Sequence, residues 1–461
     1  MTFKSALSTS LAMIMLLSMG AGCFGGGSEA GPAGAPITLD YWRVFDDENA
    51  FEEVIKAYEA LHPNVSINYR RLRAEEYEAE LIRAFAEGRG PDIFSVHNTK
   101  IGELQSLMQP MPASVKVSYL ETVGSLRKDT IYVEREQPTL TPKALKQNYV
   151  DVVAQDVLRA YQATPEETPT SRIFGLPLAV DTMALFYNKD LLNAAGVAEA
   201  PAAWDVFQEA VTKLSVIDSE GKITQSGAAL GTTDNVERSA DLLSLLMLQN
   251  GTVMTQGNAV TIGDIPDGTP DGLHPAVDAV RFYTDFANPT KEVYAWNDTF
   301  TGSFEAFASG QTAFFFGYSY HIPYINAAAP KLNYAVAKMP QIAGGRQVNY
   351  ANYWIESVAK NSKAPSYAWD FVQFAASAEQ VPKYLAKARK PTALRSLINT
   401  QLNDENMGPF AEQVLTAESW YRGRDVDAME KALNDLADSF LAGLDPFETI
   451  GQTVKIIKQT Y

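Results

Sequence analysis

Residues 172–190 of the chain read RIFGLPLAVDTMALFYNKD. Gly175 and Pro177 punctuate the start of this stretch, and the short apolar run that follows is typical of a buried strand. Asp181 interrupts the run before a second apolar segment, which ends in turn and helix-capping residues at 188–190. A carboxylate between two buried strands must be paired, hydrogen-bonded or facing a cleft. Asp181 therefore either caps a turn or faces a ligand where the chain crosses between two lobes.

The first part of the chain alternates between strand and helix patterns. Strand-like alternation at 37–42 and 65–69 and an apolar strand at 92–96 are separated by two segments with helical spacing, which end at 62–63 and 90–91. This β-α-β-α-β order predicts a mostly parallel sheet covered by helices. Ligands bind at the carboxyl ends of the strands in such sheets. That rule selects the residues after the first and third strands: Arg43, Phe45, Asp46, His97, Asn98 and Thr99.

The stretch 172–190 resembles the first hinge crossing of bacterial extracellular solute-binding proteins of family 1, the relatives of maltose-binding protein. In that family a Gly-Leu-Pro segment leads to an acid and then to Tyr-Asn-Lys-Asp. Other segments follow in the family's order, among them Pro-x-x-Trp at 201–204, a helix-Gly-strand unit at 304–317 and a second crossing at 352–355. The resemblance covers residues 37–461. It implies an α/β fold of the type II periplasmic-binding-protein kind, with two lobes joined by hinge crossings, each lobe a mixed, mostly parallel sheet flanked by helices.

The resemblance also implies the division of the chain into lobes. We expect the first lobe at 37–180 plus 348–395 and the second lobe at 182–346 plus 400–461, with a third crossing near 390–402. Residues 124–143 are expected to form an extra loop.

Sugar recognition requires flat apolar side chains for the rings and polar groups for the hydroxyls, because an unpaired buried hydroxyl costs about 1–3 kcal/mol. Carried over by position, the ligand-binding candidates are Trp42, Phe45, Asp46, Asn98, Thr99, Asp181, Phe316, Tyr318, Tyr320, Tyr353, Trp354 and Trp420. Each aromatic residue has core packing as its alternative role. Thr99 stands where maltose binders have an acid, and Val96 where they have a tryptophan. Another sugar or a non-sugar organic solute therefore stays open as the ligand.

The start of the chain has the pattern of an export signal. Lys4 precedes an apolar core at 11–19, and small residues at 20–22 precede Cys23, which is the one cysteine of the sequence. This pattern resembles a lipoprotein lipobox, with Gly20 where leucine is usual. It implies a signal peptide at 1–22, lipidation at Cys23 and a flexible tether at 23–36. The alternative is an ordinary secretory signal.

Composition bounds the remaining possibilities. The chain has 461 residues, of which 46% are apolar and 11% aromatic, so it can bury one or two large cores and form two or three domains. The formal net charge is −17. Long-range attraction to nucleic acid is therefore not expected.

Catalytic motifs are missing from the sequence. It contains no His-Glu-x-x-His metal motif, no Gly-x-Ser-x-Gly nucleophile elbow and no glycine-rich phosphate loop that precedes a helix. A pair of distant carboxylates could still serve glycoside hydrolysis, and Asp181 and Glu356 are the two acids to consider.

We therefore expect a binding protein without a cofactor, metal site or catalytic residue. The resemblance implies a monomeric, lipid-anchored protein on the extracytoplasmic face of the cell membrane. It would capture a mono- or oligosaccharide by hinge closure and deliver it to the membrane permease of an ABC importer. The alternatives are an extracytoplasmic carbohydrate-active enzyme and a ligand sensor that does not feed transport.

Overall fold

A computed structural model describes residues 33–125 and 128–461. The signal peptide expected at 1–22 and the lipidation residue Cys23 lie outside the described residues, and of the expected tether only residues 33–36 are described. The strands are β1 (Ile37–Val44), β2 (Val65–Leu72), β3 (Ile93–His97), β4 (Met108–Gln109), β5 (Ser114–Val123), β6 (Asp129–Pro138), β7 (Leu158–Tyr161), β8 (Thr170–Ile173), β9 (Asp181–Thr182), β10 (Ala184–Asn188), β11 (Val216–Ile217), β12 (Ile223–Ala228), β13 (Thr255–Gln256), β14 (Ala259–Val260), β15 (Thr312–Gly317), β16 (Tyr334–Ala337), β17 (Asn349–Asn352), β18 (Trp354–Ala359) and β19 (Ala417–Glu418). The α-helices are α1 (Glu48–Leu61), α2 (Ala74–Ala86), α3 (Ile101–Leu104), α4 (Pro142–Asn148), α5 (Asp151–Val157), α6 (Lys189–Ala194), α7 (Trp204–Leu214), α8 (Ser239–Gln249), α9 (Pro275–Asp285), α10 (Ser303–Ala308), α11 (His321–Ala328), α12 (Pro365–Ala375), α13 (Val381–Ala388), α14 (Ile398–Gln401), α15 (Gly408–Gln413), α16 (Val426–Leu441) and α17 (Pro446–Lys458).

Two five-stranded mixed sheets form the framework, in the orders β2-β1-β3-β18-β4 and β11-β12-β15-β10-β16. In the first sheet β1 is parallel to β2 and β3, whereas β18 is antiparallel to β3 and β4. In the second sheet the β12–β15 pair is parallel and the other three pairs are antiparallel. The prediction of mostly parallel sheets is therefore wrong in this detail. The reason is that β10 and β18, which directly follow crossings of the chain, each insert antiparallel between two other strands.

Each sheet has its own buried core. One core takes its residues from 39–180 and 351–417, and includes the first sheet with α1, α2, α12 and α13. The other core takes its residues from 183–350 and 420–457, and includes α7, α8, α9 and α16. A smaller cluster around Phe186 and Phe315 covers the opposite face of the second sheet with α10, α11 and α15. The second sheet is therefore buried on both faces.

Strand β15, which is rich in aromatic residues, shows how side chains are divided between the two faces of the second sheet. Phe314 and Phe316 pack in the larger core of the second sheet, and Phe315 packs in the smaller cluster on the other face. Successive side chains of a strand point to opposite faces. The aromatic run that ends this strand is therefore mostly core.

A small three-stranded sheet, in the order β19-β17-β9, joins the two halves. Asp181 and Thr182 of β9 lie opposite Asn352 and Ala351 of β17 in antiparallel register. Strand β19 pairs in parallel with the other edge of β17. Three passages of the chain between the two cores thus lie side by side, and this sheet is the hinge.

Residues 124–143 were expected to form a loop, but the structure shows a long hairpin. Strand β6 occupies half of that stretch and pairs with β5 along its whole length, from Val123↔Asp129 to Ser114↔Pro138. The β-branched and aromatic residues at 130–133 favour the strand.

Among the residues that the structure describes, no helix combines the length and apolar character needed to cross a membrane.

Candidate functional site

A cleft of about 620 Å³ lies between the two sheets, next to the hinge. Its walls come from the carboxyl ends of β1 and β3, the start of α2, the hinge strands, the turn after β15, the end of α13 and the start of α16. The sequence-predicted site residues that line it are Phe45, Asp46, Thr99, Asp181, Tyr320, Tyr353 and Trp354. The cleft therefore lies at the edge of the first sheet that the rule for ligand sites selects.

A buried network of charges forms the floor of the cleft on the side of the first sheet. Arg43 is 4% exposed; it forms an ion pair with Glu356, donates from Nε to Asp46 Oδ2 at 3.0 Å, and donates from Nη2 to the Tyr384 hydroxyl at 2.8 Å. Tyr384 donates to the same Asp46 oxygen at 2.9 Å. Ser95 donates to the second oxygen of Glu356 at 2.7 Å. Removing one member of a buried ion pair costs roughly 3–5 kcal/mol, because the other charge is left buried and unpaired. These ion pairs therefore hold the floor of the cleft in one arrangement.

Lys390 completes the network at the cleft surface. Its Nζ lies 2.7 Å and 2.9 Å from the two carboxylate oxygens of Asp46. Burial raises the pKa of Asp46, but Arg43 and Lys390 outweigh it, and the pKa ends below its usual range. Burial also lowers the pKa of Lys390, against the opposing effect of Asp46. The carboxylate of Asp46 is thus charged and held by two cations, and it orients Lys390 along the cleft wall.

Asp181 connects the hinge to the second sheet. Its Oδ2 accepts hydrogen bonds from the Ser319 backbone N–H at 2.9 Å and from the Ser319 hydroxyl at 2.6 Å. Its Oδ1 accepts the backbone N–H of Thr182 at 2.9 Å. Burial raises the pKa of Asp181 to about 7, although these hydrogen bonds and Lys390 lower it. Asp181 therefore lies in the hinge and lines the cleft, and its contact with a ligand stays a prediction.

Exposed aromatic rings line the cleft on both sides. On the first side Phe45 is 52% exposed and contacts Trp354 edge to face, with ring centroids 5.9 Å apart. On the second side Tyr320 and Tyr324 are exposed to 37% and 56%. Exposed rings lining a cavity provide the flat apolar surface that a bound organic ring can contact.

Backbone strain concentrates at the cleft. Among the described residues, three that are not glycine have positive φ: Phe45 at 65°, Arg238 at 55° and Arg389 at 51°. All three line the cleft. The left-handed conformation costs a residue with a side chain roughly 1–2 kcal/mol. Strain of this kind clusters at functional sites, where the surrounding structure holds it in place.

The wall that belongs to the second sheet is also built from paired charges. Arg238 binds Asp241 through two hydrogen bonds of 2.8 Å, and its Nη2 lies 2.7 Å from Glu430. Burial lowers the pKa of Arg238, but Asp241 and Glu430 outweigh that effect and raise it. His97 from the first sheet lies near this pair, and burial together with Arg238 lowers the pKa of His97 to about 4. Neutral His97 contacts Asn352 of the hinge at 3.1 Å.

Five of the predicted site residues do not line the cleft. Trp42 precedes Arg43 in β1 and points to the opposite face, where the guanidinium of Arg70 lies 4.6 Å from its ring. Phe316 packs on Trp204 and Phe207 in the core.

The other three, Asn98, Tyr318 and Trp420, are buried and form hydrogen bonds with buried residues. The Tyr318 hydroxyl donates to Asp241 at 2.7 Å, and the Trp420 indole N–H donates to the Ser244 hydroxyl at 3.0 Å. The Asn98 backbone N–H donates to the Tyr353 carbonyl at 3.0 Å. Their positions at or beside strand ends predicted proximity, but the sequence could not show which way each side chain points.

The cleft also contains residues that were not among the predicted ligand contacts. These are chiefly Lys100, Arg238, Ser319, Tyr324, Asn352, Tyr384, Arg389 and Lys390. One signal in the sequence could have identified Arg389 and Lys390 as cleft residues. They form a basic pair before a proline, in the region expected for the third crossing. Within the described part of the chain, no group of three or more histidine, cysteine or acidic residues is arranged to hold a metal ion.

Comparisons with known proteins agree with this architecture. A binding protein of Brucella abortus (strain 2308) is 21% identical over 330 residues, which cover 70% of this chain and 67% of that protein. The GacH receptor of Streptomyces glaucescens GLA.O, solved unliganded and with acarbose, has a TM-score of 0.66 at 19% identity, covering 92% of this chain and 100% of the receptor. The maltose-binding periplasmic protein MalE of Listeria monocytogenes, solved with maltose, has a TM-score of 0.67 at 17% identity, covering 92% and 97% of the two chains.

The structural likenesses establish the fold as that of type II periplasmic binding proteins, with two lobes and a hinge, and confirm the fold class predicted from the sequence. The family model described as bacterial extracellular solute-binding protein matches residues 53–401. The chain therefore belongs to the bacterial extracellular solute-binding proteins.

Proposed function

We propose that the chain captures a carbohydrate in its interlobe cleft and delivers it to the permease of an ABC importer. The observation that carries the proposal is the pairing of exposed aromatic rings with ordered polar groups in one cleft. Phe45 and Trp354 supply apolar faces on one side, and Tyr320 and Tyr324 do so on the other. The acarbose and maltose complexes of the two structural relatives support a sugar as the ligand class.

The ligand would be held by side chains from both lobes. Phe45, Asp46, Thr99, Tyr353 and Trp354 would contact it from the first lobe, and Tyr320 from the second. Asp181 would contact it at the hinge. Trp42, Asn98, Phe316, Tyr318 and Trp420 would act by fixing these positions. A ligand that bridges the lobes stabilises the closed state, which the permease would recognise.

We keep the lobes at 37–180 plus 348–395 and 182–346 plus 400–461. The separation of the two buried cores, which changes at 181–182 and again between Tyr350 and Ala351, supports the first two boundaries, whereas Val414 and Ala417 still pack in the first core. Lipidation at Cys23 would hold the protein at the extracytoplasmic face of the membrane, and we expect it to act as a monomer.

A thermal-shift screen tests this function, because a ligand that binds the folded state raises the melting temperature. The screen should contain neutral and acidic sugars, amino acids and polyamines. We expect sugars to give the largest shifts, and prolonged incubation of the best sugar to give no product. A shift confined to amino acids or polyamines would contradict the ligand class, and steady turnover of the sugar would identify an enzyme.

A further inference from the structure

The basic side chains that line the cleft fall into two groups. Four of them contact carboxylates: Arg43 and Lys390 bind Asp46, Lys100 binds Glu78, and Arg238 binds Asp241. The other two are Lys387, in the last turn of α13, and Arg389, the residue that ends this helix. Within residues 33–125 and 128–461, neither Lys387 nor Arg389 makes a side-chain hydrogen bond or an ion pair.

Among the described residues, every acidic side chain that lines the cleft has another partner, so none of them pairs with Lys387 or Arg389. Asp47 forms an ion pair with Arg71, Glu430 lies 2.7 Å from Arg238, and Asp427 lies 3.8 Å from Lys100. Asp46 and Glu78 have the partners given above, and Asp181 is bound by Ser319. Uncompensated positive charge therefore collects at the end of α13, chiefly on Arg389, because Glu52 of α1 is near Lys387 but is shared with its own partner Lys56. It does so in a chain whose net charge is −17, so a general excess of basic residues does not explain it.

The backbone of Arg389 gives an independent reason to assign it a role. Arg389 ends α13 with φ 51° and ψ 56°, the left-handed conformation that helix ends normally give to glycine or asparagine. A cation near a helix carboxyl end is favourable in itself. Lys387 already supplies that charge from the last turn, without strain. A role for the guanidinium in the cleft would account for an arginine at this strained, exposed position in the cleft lining.

We propose that the ligand is an anionic carbohydrate whose acidic group binds Arg389, with Lys387 as a second charge. This inference rests on the proposed function and narrows its ligand class. The planar fork of a guanidinium donates two parallel hydrogen bonds to a carboxylate, and the lysine acts as a point charge beside it. A carboxylate on a sugar ring, as in a uronic acid, matches this arrangement. The aromatic rings of the cleft would contact the ring faces of the same ligand.

Calorimetric titration with matched sugars tests the inference. The probes are trigalacturonate and trimannuronate, their neutral counterparts galactotriose and mannotriose, and galactose 6-phosphate to separate a carboxylate from a phosphate. We expect at least one acidic trisaccharide to bind about tenfold or more tightly than its neutral counterpart. That advantage should shrink as salt is added, since the two cations are exposed.

The variant Arg389→Gly separates binding from a purely structural role. Glycine suits the left-handed conformation, so the melting temperature should stay the same or rise. Affinity for the acidic sugar should fall about tenfold to hundredfold, and affinity for its neutral counterpart should stay unchanged. Arg83→Gln is the matched control, because Arg83 is a cation in the last turn of α2 that pairs with Glu80 and does not line the cleft. It should alter neither affinity.

The outcomes distinguish a failure of this inference from a failure of the proposed carbohydrate binding on which it rests. Equal binding of acidic and neutral sugars, or equal weakening of both by Arg389→Gly, would overturn the anionic ligand and leave carbohydrate binding intact. Preference for galactose 6-phosphate over both acidic trisaccharides would overturn the carboxylate. No binding of any sugar would overturn both proposals.

Discussion

Ser319 donates two hydrogen bonds to one oxygen of Asp181, from its backbone N–H at 2.9 Å and from its hydroxyl at 2.6 Å. Asp181 begins the hinge strand β9, and Ser319 follows β15 of the second sheet. The acid that stands out in the sequence is thus bound to the second lobe while it lines the cleft. A movement at the hinge and a ligand in the cleft would therefore both act on the Asp181 side chain.

Replacing Asp181 should weaken ligand binding. We expect Asp181→Ala to lower affinity for the best sugar of the screen at least about tenfold, because a charge-assisted hydrogen bond contributes about 1.5–3 kcal/mol. Ser319→Ala removes the hydroxyl but keeps the backbone donor, so it should lower the melting temperature and change affinity less than about threefold. Calorimetry measures both variants. Unchanged affinity in Asp181→Ala would remove this residue from the site.

The raised pKa of Asp181 predicts how stability depends on pH. Burial raises this pKa to about 7 in the folded protein, whereas an aspartate in an unfolded chain titrates near about 3.9. Between these values the folded state binds more protons than the unfolded state. The contribution of Asp181 to the free energy of unfolding is therefore fully present below pH of about 4 and is lost as pH rises through about 7.

The comparison with Asp181→Asn isolates this effect. His97 acts in the opposite sense, since its pKa is lowered to about 4 and its contribution is lost as pH falls. His97 is present in both proteins, so it cancels in the difference between them. We expect the melting temperature of the wild type, relative to the variant, to fall between pH of about 4 and 7. A difference that does not change with pH would contradict the burial of this carboxyl group.

Trp354 should report on ligand binding. Of the six tryptophans in the sequence, all of which the structure describes, Trp354 alone lines the cleft, beside Phe45. We expect sugar binding to change the intrinsic fluorescence of the wild type and to change that of Trp354→Phe little or not at all. The control is Trp296→Phe, whose tryptophan stacks on Phe300 in the second core. Loss of the signal in the control instead would place the ligand elsewhere.

A close contact between the lobes predicts a variant that resists closure. A methyl group on Gly102 of α3 would lie 2.2 Å from the carbonyl oxygen of Gly423 and 2.8 Å from that of Arg422, both in the backbone after Trp420. Gly102→Ala must push these segments apart. We expect roughly tenfold weaker binding, and a larger radius of gyration in the presence of sugar.

A matched glycine controls for the substitution itself. Gly451→Ala in α17 adds a methyl group with nothing within 4 Å, so its affinity and radius of gyration should match the wild type. If Gly102→Ala closes as compactly as the wild type, the contact at Gly423 does not limit closure.

The sequence predicted the parts of the fold that depend on local pattern. Helix α1 ends before His62 as its spacing and proline indicated. The ends of β1 and β3 form the cleft, because strand order alone determines where loops collect. The β5–β6 hairpin was missed because its strands pair with each other outside the main sheets.

The parts of the structure that the sequence did not predict depend on the direction of side chains and on contacts between residues that are far apart in the sequence. Whether Trp42 or Arg43 reaches the cleft depends on which face of β1 each side chain occupies, and a shift of one residue reverses that assignment. Lys390 reaches Asp46 across 344 positions of sequence, and a single sequence offers no pattern that links them. Backbone strain at Arg389 becomes visible only in three dimensions.

Calorimetric titration of the folded protein with the best sugar of the screen, beside Asp181→Ala, tests the central claim most directly. We predict one sugar bound per chain, no product after prolonged incubation, and at least about tenfold weaker binding in the variant. Absence of binding by every sugar, or binding that Asp181→Ala and Trp354→Phe leave unchanged, would contradict carbohydrate capture in this cleft.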